Sequence, residues 1–289
     1  TQATKGSDSN RIDSAEATAL FVEDRFTTGA MTVTAGARYE EITVMRDDWG
    51  KTDPDRSETP SKREHTIDVI VPGVGVEYAI NEFQSVSVGV HKGFAPPGPG
   101  TSGVTDKAVD PETSVNTEIG FKSNQGLNSL EFTLFMNSYD NLLGADTAAS
   151  GGGSDELFNG GAVDISGFEL YLRRILVDNG RIQMPFELAW TNTNSEFQES
   201  FDGFWGDVSK GDELPYLPDT MVSINLGLNV DKISANMTMK KTSEMRSVAG
   251  SGSISGSNAT DEITIIDLGM RYALQDNVTL SVGINNFMD

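Results

Sequence analysis

Ser114-Val-Asn-Thr-Glu-Ile-Gly-Phe-Lys122, followed after a short link by Ser129-Leu-Glu-Phe-Thr-Leu-Phe-Met-Asn137, is the stretch that decides the fold. In its first half Val115, Thr117, Ile119 and Phe121 alternate with Ser114, Asn116, Glu118, Gly120 and Lys122. In its second half Leu130, Phe132, Leu134 and Met136 alternate with Ser129, Glu131, Thr133 and Asn137, and Phe135 breaks the rule. A period of two sends successive side chains to opposite sides of an extended chain, so each half is a strand with one apolar and one polar face. The link from Ser123 to Asn128 carries the Asn and Gly that a tight hairpin turn requires.

The same alternation recurs outward in both directions. Met31, Val33, Ala35, Ala37 and Tyr39 form one apolar row; Val86, Val88 and Val90 another; Phe168, Leu170 and Leu172 a third. Met184 to Trp190, Ile224 to Leu228, Leu268 to Leu274 and Val278 to Ile284 repeat it at every second residue. About 12 such strands are expected and no amphipathic helix, which makes the chain all-β. Short links (Thr27–Ala30, Asn81–Glu82, Ser123–Asn128, Val177–Gly180, Asp231–Lys232, Gln275–Asn277) alternate with long ones. The long links run from Asp47 to His65, Ala95 to Glu112, Asp140 to Gly161, Gln198 to Pro218 and Val248 to Asp261. Short turns at one end and long loops at the other describe an antiparallel up-and-down meander with two unlike ends.

Two environments suit such a meander. In a transmembrane β-barrel the apolar rows meet lipid, the polar rows face a wet lumen, and tilted strands of 9–11 residues suffice to span the bilayer. In a soluble β-sandwich or propeller the apolar faces meet each other. The polar rows here hold Thr, Ser, Gly, Asn, Glu and Arg, and the apolar rows hold almost no charge. Tyr39, Tyr78, Phe94, Tyr139, Trp190, Tyr272 and Phe287 are expected near strand ends, where aromatic girdles sit. These features favour the membrane barrel.

Composition excludes several other functions. The 289 residues carry 43 acidic and 21 basic side chains, a net charge of -22, with no cysteine and two histidines. A phosphate-binding surface needs clustered Lys and Arg, so nucleic acid is not an expected partner. Absent cysteine removes disulfide scaffolds, thiolate metal sites and thiol nucleophiles. No run of about 18 apolar residues could form a membrane helix. The chain opens in polar sequence at Thr1 without Met and stops at Asp289, which reads as a piece of a longer protein.

Several phrases stand in order along the chain: Val88-Gly-Val-His-Lys-Gly-Phe-Ala-Pro-Pro-Gly-Pro-Gly100, Pro111-Glu-Thr-Ser-Val-Asn-Thr-Glu-Ile-Gly-Phe-Lys122 and Phe158-Asn-Gly-Gly-Ala-Val-Asp-Ile-Ser-Gly-Phe-Glu169. Leu214-Pro-Tyr-Leu-Pro-Asp219, Ile266-Asp-Leu-Gly-Met-Arg-Tyr272 and Asn285-Asn-Phe-Met-Asp289 follow. Together they resemble the TonB-dependent outer-membrane receptors, especially those for ferric dicitrate and other siderophores. The resemblance covers residues 15–289. It implies that residues 1–289 are one partial barrel domain of a larger, plugged barrel of roughly 22 strands. The plug, the energy-coupling segment near the amino terminus, the early strands and the last strand are then expected to lie outside this chain. It further implies an outer-membrane receptor of a Gram-negative bacterium, importing a ferric siderophore or similar chelate, ferric citrate-like, with energy from a TonB-type partner. No covalent chemistry and no resident cofactor are expected; iron arrives as cargo. A passive outer-membrane barrel without energy coupling is the alternative reading, and an enzyme or adhesin on a β-barrel or β-sandwich the third.

By strand parity Arg38 and His91 face the lumen, His91 near the loop end. Each could contact a bound iron chelate or the plug, or could simply be a solvated lumen residue. Arg173, with Arg174 and Arg271, could meet an anionic chelate, since guanidinium suits carboxylates. The loop carboxylates Asp47, Asp48, Asp53, Asp55, Asp155 and Glu156 fit no calcium-loop spacing, and they are a poor electrostatic match for an anionic ferric citrate complex. Gly151-Gly-Gly-Ser154 lacks the strand–helix context of a phosphate loop. Gly93 and Pro96-Pro97 are expected to end a strand, and Leu214 to Pro218 to run extended towards the next one.

Overall fold

The computed structural model describes residues 10–96, 110–145, 157–203, 206–254 and 256–288. Pro97, Gly151 to Ser154, Asp155 and Glu156 lie outside these residues. In chain order β1 (Arg11–Thr28), β2 (Met31–Asp48), β3 (Ser61–Ala79), β4 (Gln84–Ala95), β5 (Glu112–Gln125) and β6 (Asn128–Tyr139) come first. A short ribbon of β7 (Leu143–Ala145) and β8 (Leu157–Asn159) precedes β9 (Val163–Asp178) and β10 (Ile182–Phe197). A second ribbon, β11 (Phe201–Gly203) with β12 (Gly206–Val208), leads to β13 (Thr220–Val230) and β14 (Ile233–Thr242). A third, β15 (Met245–Arg246) with β16 (Ala259–Thr260), precedes β17 (Ile263–Gln275) and β18 (Val278–Ile284). The only helical piece among the described residues is a single 3₁₀ turn at Gly256–Asn258.

Outside the three ribbons the strands form one sheet of twelve, ordered β1-β2-β3-β4-β5-β6-β9-β10-β13-β14-β17-β18, with every pair antiparallel. The expected all-β up-and-down meander is therefore present, and it is not closed: β1 and β18 are its two edges. Short links turn tightly because their residues accept the backbone they need. Gly29 takes φ +59° and Gly180 φ +80°, where a Cβ would be strained. Asp178 and Asn179 receive the next amides on their side-chain oxygens.

The strands differ from expectation in length. β2 and β3 extend into the link read as Asp47 to His65 and pair without a break from Met31↔Tyr78 to Asp48↔Ser61. Gly93 lies inside β4, which continues to Ala95; a Cβ there would sit 2.2 Å from Ser114 Oγ, so glycine is needed by the neighbouring strand. Phe135, the residue that broke the alternation, packs on Gly167, whose missing Cβ would come 2.9 Å from the ring.

Residues directly opposite in register share a face, so rows can be followed across the sheet. One row runs Val76–Val88–Ile119–Leu134–Phe168, another Gly73–His91–Asn116–Asn137–Ile165. We call the first side outer and the second inner. The outer row is exposed apolar surface (Val88 46%, Ile119 54%, Leu134 46%). The inner side carries cross-strand ion pairs, Lys122–Glu131 at 3.0 Å and Arg173–Glu187 at 3.6 Å.

Towards the long links this arrangement turns over. On β2 the outer side changes from Ala35, Ala37 and Tyr39 to Glu41 and Thr43, while Ile42 and Val44 turn inward and are buried. On β3 the outer residues Ile70 and Val74 give way to Asp68 and Thr66, and Ile67 and Val69 are buried on the inner side. On β9 and β10 the switch follows Phe168 and Trp190: Ser166, Asp164, Asn194 and Glu196 are outer, and Val163 and Phe197 are inner, opposite each other and fully buried. On β2, β3, β9 and β10 a band with an apolar outside thus passes into a collar with an apolar inside.

The collar is closed by loops. Val208 and Leu214 cover Val163 and Phe197, with Tyr139, Leu142, Ile165, Phe201, Leu217 and Ala249 packed around them. Tyr139 is therefore an inner, core-packed residue, not a girdle aromatic. The Leu214 to Pro218 phrase is a turn, not an extended run: Tyr216 has φ +58°. Arg246 is buried beneath it and donates from Nε to Glu213 Oε2 at 2.5 Å.

Candidate functional site

Glycine shapes the inner side of β2 to β5. Glu23, Gly36, Gly73 and His91 lie in one register row, with Phe21, Arg38 and Val71 in the row beside it. Gly75 and Gly89 are paired in the next inner row towards the short turns, between Thr34 on β2 and Glu118 on β5. Glycine in strand interiors costs stability and commonly marks a place where something approaches the backbone closely. Here the glycines leave a concavity of about 540 Å³ whose lining includes Phe21, Glu23, Arg38, Val71 and His91. The floor between Glu23 and His91 carries no side chain across two strands, a span of about 14 Å at about 4.8 Å per interstrand step. A second concavity of about 290 Å³ continues from Gly75 and Gly89 towards Arg25, Glu77 and Glu118.

The glycines play different parts. A Cβ on Gly36 would come 2.9 Å from the Val22 carbonyl oxygen, and one on Gly73 3.1 Å from His91 Cβ. Gly75 and Gly89 would meet only backbone oxygens at 3.8 and 3.9 Å. Side chains at the last two would fit the wall and fill the trough instead. Arg38 is held at the rim by Glu40 two residues along β2, which aims the guanidinium along the inner face. Carboxylates outnumber cations here by four to three, with Glu23, Glu40, Glu77 and Glu118 against Arg25, Arg38 and Lys92.

Arg38 and His91 are thus brought together on the inner face, as parity suggested. Arg173 is not with them. It lies on β9, five residues from the short-turn end at Asp178, in a separate concavity of about 410 Å³ shared with Glu187, Asn225 and Arg271. Asn225 Oδ1 is buried there without a hydrogen-bond partner among the described residues. Arg174 points the other way: it is opposite Phe186 on the outer side, so it cannot join Arg173. The loop carboxylates have structural work. Asp53 accepts amide hydrogen bonds from Ser57 and Glu58, which hold its carboxyl below the usual carboxylate range. Asp48 accepts the Gly50 amide and Asp47 pairs with Lys62 at 3.0 Å. Among the described residues no group of three or more His, Asp or Glu could hold a metal ion.

Two features were missed from sequence alone. The glycine floor was legible in principle, since Gly73, Gly75 and Gly89 occupy polar-row positions of adjacent strands. The buried charge group around Arg246 was not. Asp219 sits beside it with its carboxyl pushed up by burial and by Glu213, an effect Arg246 opposes.

No curated protein matches the chain by sequence. Solved structures do match its fold. The siderophore receptor PiuA from Acinetobacter baumannii superposes with a TM-score of 0.75 at 18% identity, covering 97% of this chain and 40% of PiuA. The ferric yersiniabactin uptake receptor FyuA from Yersinia pestis gives 0.73 at 16% identity, over 96% of this chain and 41% of that one. The ferric citrate transporter FecA, unliganded, gives 0.73 at 18% identity over 96% and 41%. The chain spans about two fifths of the length of these receptors. The family and its solved relatives are transport receptors, not enzymes, and the family resides in the Gram-negative outer membrane. Residues 1–287 match the family described as TonB dependent receptor-like, beta-barrel, and the chain belongs to that family.

Proposed function

We propose that residues 1–289 are one partial barrel domain of an outer-membrane receptor that imports a ferric siderophore or similar metal chelate using energy from a TonB-type partner. The observation that carries this reading is the union of family membership with the polarity of the wall. An apolar outer band suits lipid, a polar inner face suits a wet lumen, and the folded collar suits loops held above the bilayer. The relatives named for siderophores and ferric citrate supply the substrate class. Arg38 and His91 would then face the passing chelate or the plug, and Arg173 would act nearer the periplasmic end. The plug, the energy-coupling segment and the remaining strands belong to the rest of the parent polypeptide.

The test is uptake of radioactive iron by cells lacking the full-length gene and by complemented cells, under iron limitation. Chelate-dependent uptake that returns on complementation and stops when the inner membrane is de-energised is the expected result. Uptake that persists in de-energised cells would replace this reading with a passive barrel.

A further inference from the structure

The outer side of the band is apolar with one exception. At the turnover Lys241 stands level with Trp190 and Val222 and pairs with Glu262 at 3.0 Å. Nearer the short turns, the outer side of β2 to β17 holds a single charge among the described residues, Arg174 on β9. It is exposed, and it makes no hydrogen bond or ion pair among those residues. The chain has 43 acidic side chains for 21 basic ones, so a cation without a carboxylate is unusual in it. The nearest candidate by sequence, Glu187, is spent on Arg173 at 3.6 Å on the inner side.

The place of Arg174 is built. Phe186 stands opposite it on β10, and Leu172, two residues earlier on the same face, is opposite Leu130 and Leu188. Directly after it the register steps from Ile175↔Pro185 to Val177↔Met184, which leaves Leu176 as an extra residue, 51% exposed. Such a bulge bends a strand and re-aims its side chains. The Ile175 amide is braced by Asn128 Oδ1 at 3.1 Å. Arg174 lies four positions before Asp178, the last residue of β9. At about 3.3 Å per residue and a tilt near 45°, its Cα stands about 10 Å from the short turns. The long apolar stem of an arginine lets the guanidinium reach a head-group layer from that depth. A cation on the lipid side costs more the deeper it sits, and a charge kept within the span marks a binding role. Phosphate oxygens are the complementary group, since the guanidinium fork donates to two of them at once.

Resting on the reading that the band meets lipid, we infer that Arg174 holds the phosphate of a phospholipid in the leaflet on the short-turn side, and so ties that side of the wall to the head-group layer. The full-length receptor, purified in detergent, is offered phosphatidylglycerol or digalactosyldiacylglycerol, which has no phosphate, with matched acyl chains. Retained lipid is counted by native mass spectrometry. Wild type is expected to retain phosphatidylglycerol about tenfold better than Arg174→Gln, the size of one charge-assisted contact. Arg174→Lys, which keeps the charge without the fork, should stay within about threefold of wild type. The galactolipid should be held equally weakly by all three. Arg181→Gln is the control: Arg181 lies at the neighbouring turn, is paired with Asp231 at 3.1 Å, and should be replaceable without effect. Equal retention of phosphatidylglycerol by wild type and Arg174→Gln overturns the inference. An equal loss in Arg181→Gln does the same, because the lipid would then follow net charge. A wild type that holds both lipids alike overturns phosphate as the group bound. Each of these outcomes leaves the membrane and uptake readings standing. A full-length receptor that stays folded and dispersed without detergent or lipid overturns the membrane reading, and the inference with it.

Discussion

The band and the collar are built from the same strands and are solvated inside out with respect to each other. In the band Val88, Ile119 and Leu134 stand on the exposed outer side, while Glu118, Gly75 and Gly89 line the inner one. In the collar Val44, Val69, Val163 and Phe197 are buried on the inner side, and Glu41, Asp68, Asp164 and Glu196 stand outside. A strand alternates whatever surrounds it; which face is apolar depends on what each face meets. The exposed apolar outside of the band suits lipid, and the collar has its own loops within it. The turnover at Tyr39, Ile70, Phe168 and Trp190 therefore marks, on our reading, where the bilayer ends and the water outside begins.

That contrast can be broken most severely in the collar. Phe197→Ala removes a fully buried ring that packs edge-on against Phe201 at 5.6 Å. A cost of about 3–5 kcal/mol to the collar is expected. Limited proteolysis of the full-length receptor should then cut the long loops at once, while heat-modifiable migration of the barrel is kept. Loss of both together would mean that collar and band do not unfold separately.

The band is tested by parity. Val88→Arg, on the outer side, should cost about 2–4 kcal/mol if that side meets the bilayer midplane; Ser87→Arg, its inner neighbour, should cost little. In the collar the order reverses, so Val69→Arg should be the damaging change and Asp68→Arg the mild one. Folding yield into lipid vesicles compares the four variants directly. If Val88→Arg and Ser87→Arg fold equally well, the band does not meet lipid.

A smaller effect of pH should separate two collar carboxyls. Asp53 is depressed by its amide donors, so its contribution is present above the ordinary carboxylate value of about 4 and disappears as pH falls through the depressed one. Asp219 is raised, chiefly by burial, so its contribution is present below that ordinary value and disappears as pH rises through the raised one. Asp53→Asn should therefore weaken the collar at neutral pH, and Asp219→Asn should strengthen it. Proteolysis rates at pH 7 and pH 4 would show opposite signs for the two variants.

The smallest change is Tyr216→Gly. Releasing a non-glycine residue from the left-handed region should stabilise the collar by about 1 kcal/mol, read as slower proteolysis. A destabilised variant would mean that the ring supports the turn.

Much of this was written in the alternation. The odd-numbered row Val33, Ala35, Ala37, Tyr39 gives way to the even-numbered Ile42 and Val44, and the odd-numbered Ile67 and Val69 to the even-numbered Val74, Val76 and Tyr78. Val163 and Ile165 stand out of phase with Phe168, Leu170 and Leu172 in the same manner. Each slip is the turnover between collar and band, visible in the numbers alone, yet reading each strand as a single amphipathic run passes over it. Tyr139 was misplaced for that reason: its parity is inner, and only a collar gives an inner aromatic a core to enter. Arg173 and Arg174 could not both face one ligand, because neighbours in a strand point apart, and the register with Glu187 and Phe186 shows which of the two is inner.

The amino-acid sequence determined what depends on near neighbours: strands from a period of two, tight turns from Gly, Asn and Asp, and two unlike ends from link length. Tertiary structure alone decided what depends on residues far apart in the chain. It set Glu23, Arg38 and His91 around one glycine floor through the register of four strands. It covered Val163 and Phe197 with Val208 and Leu214 from a link that the sequence marked only as long. It held Tyr216 in a costly conformation because Arg246, 30 positions later in the numbering, accepts its amide. Alternation records the face of a residue; only pairing and loop packing decide what that face meets.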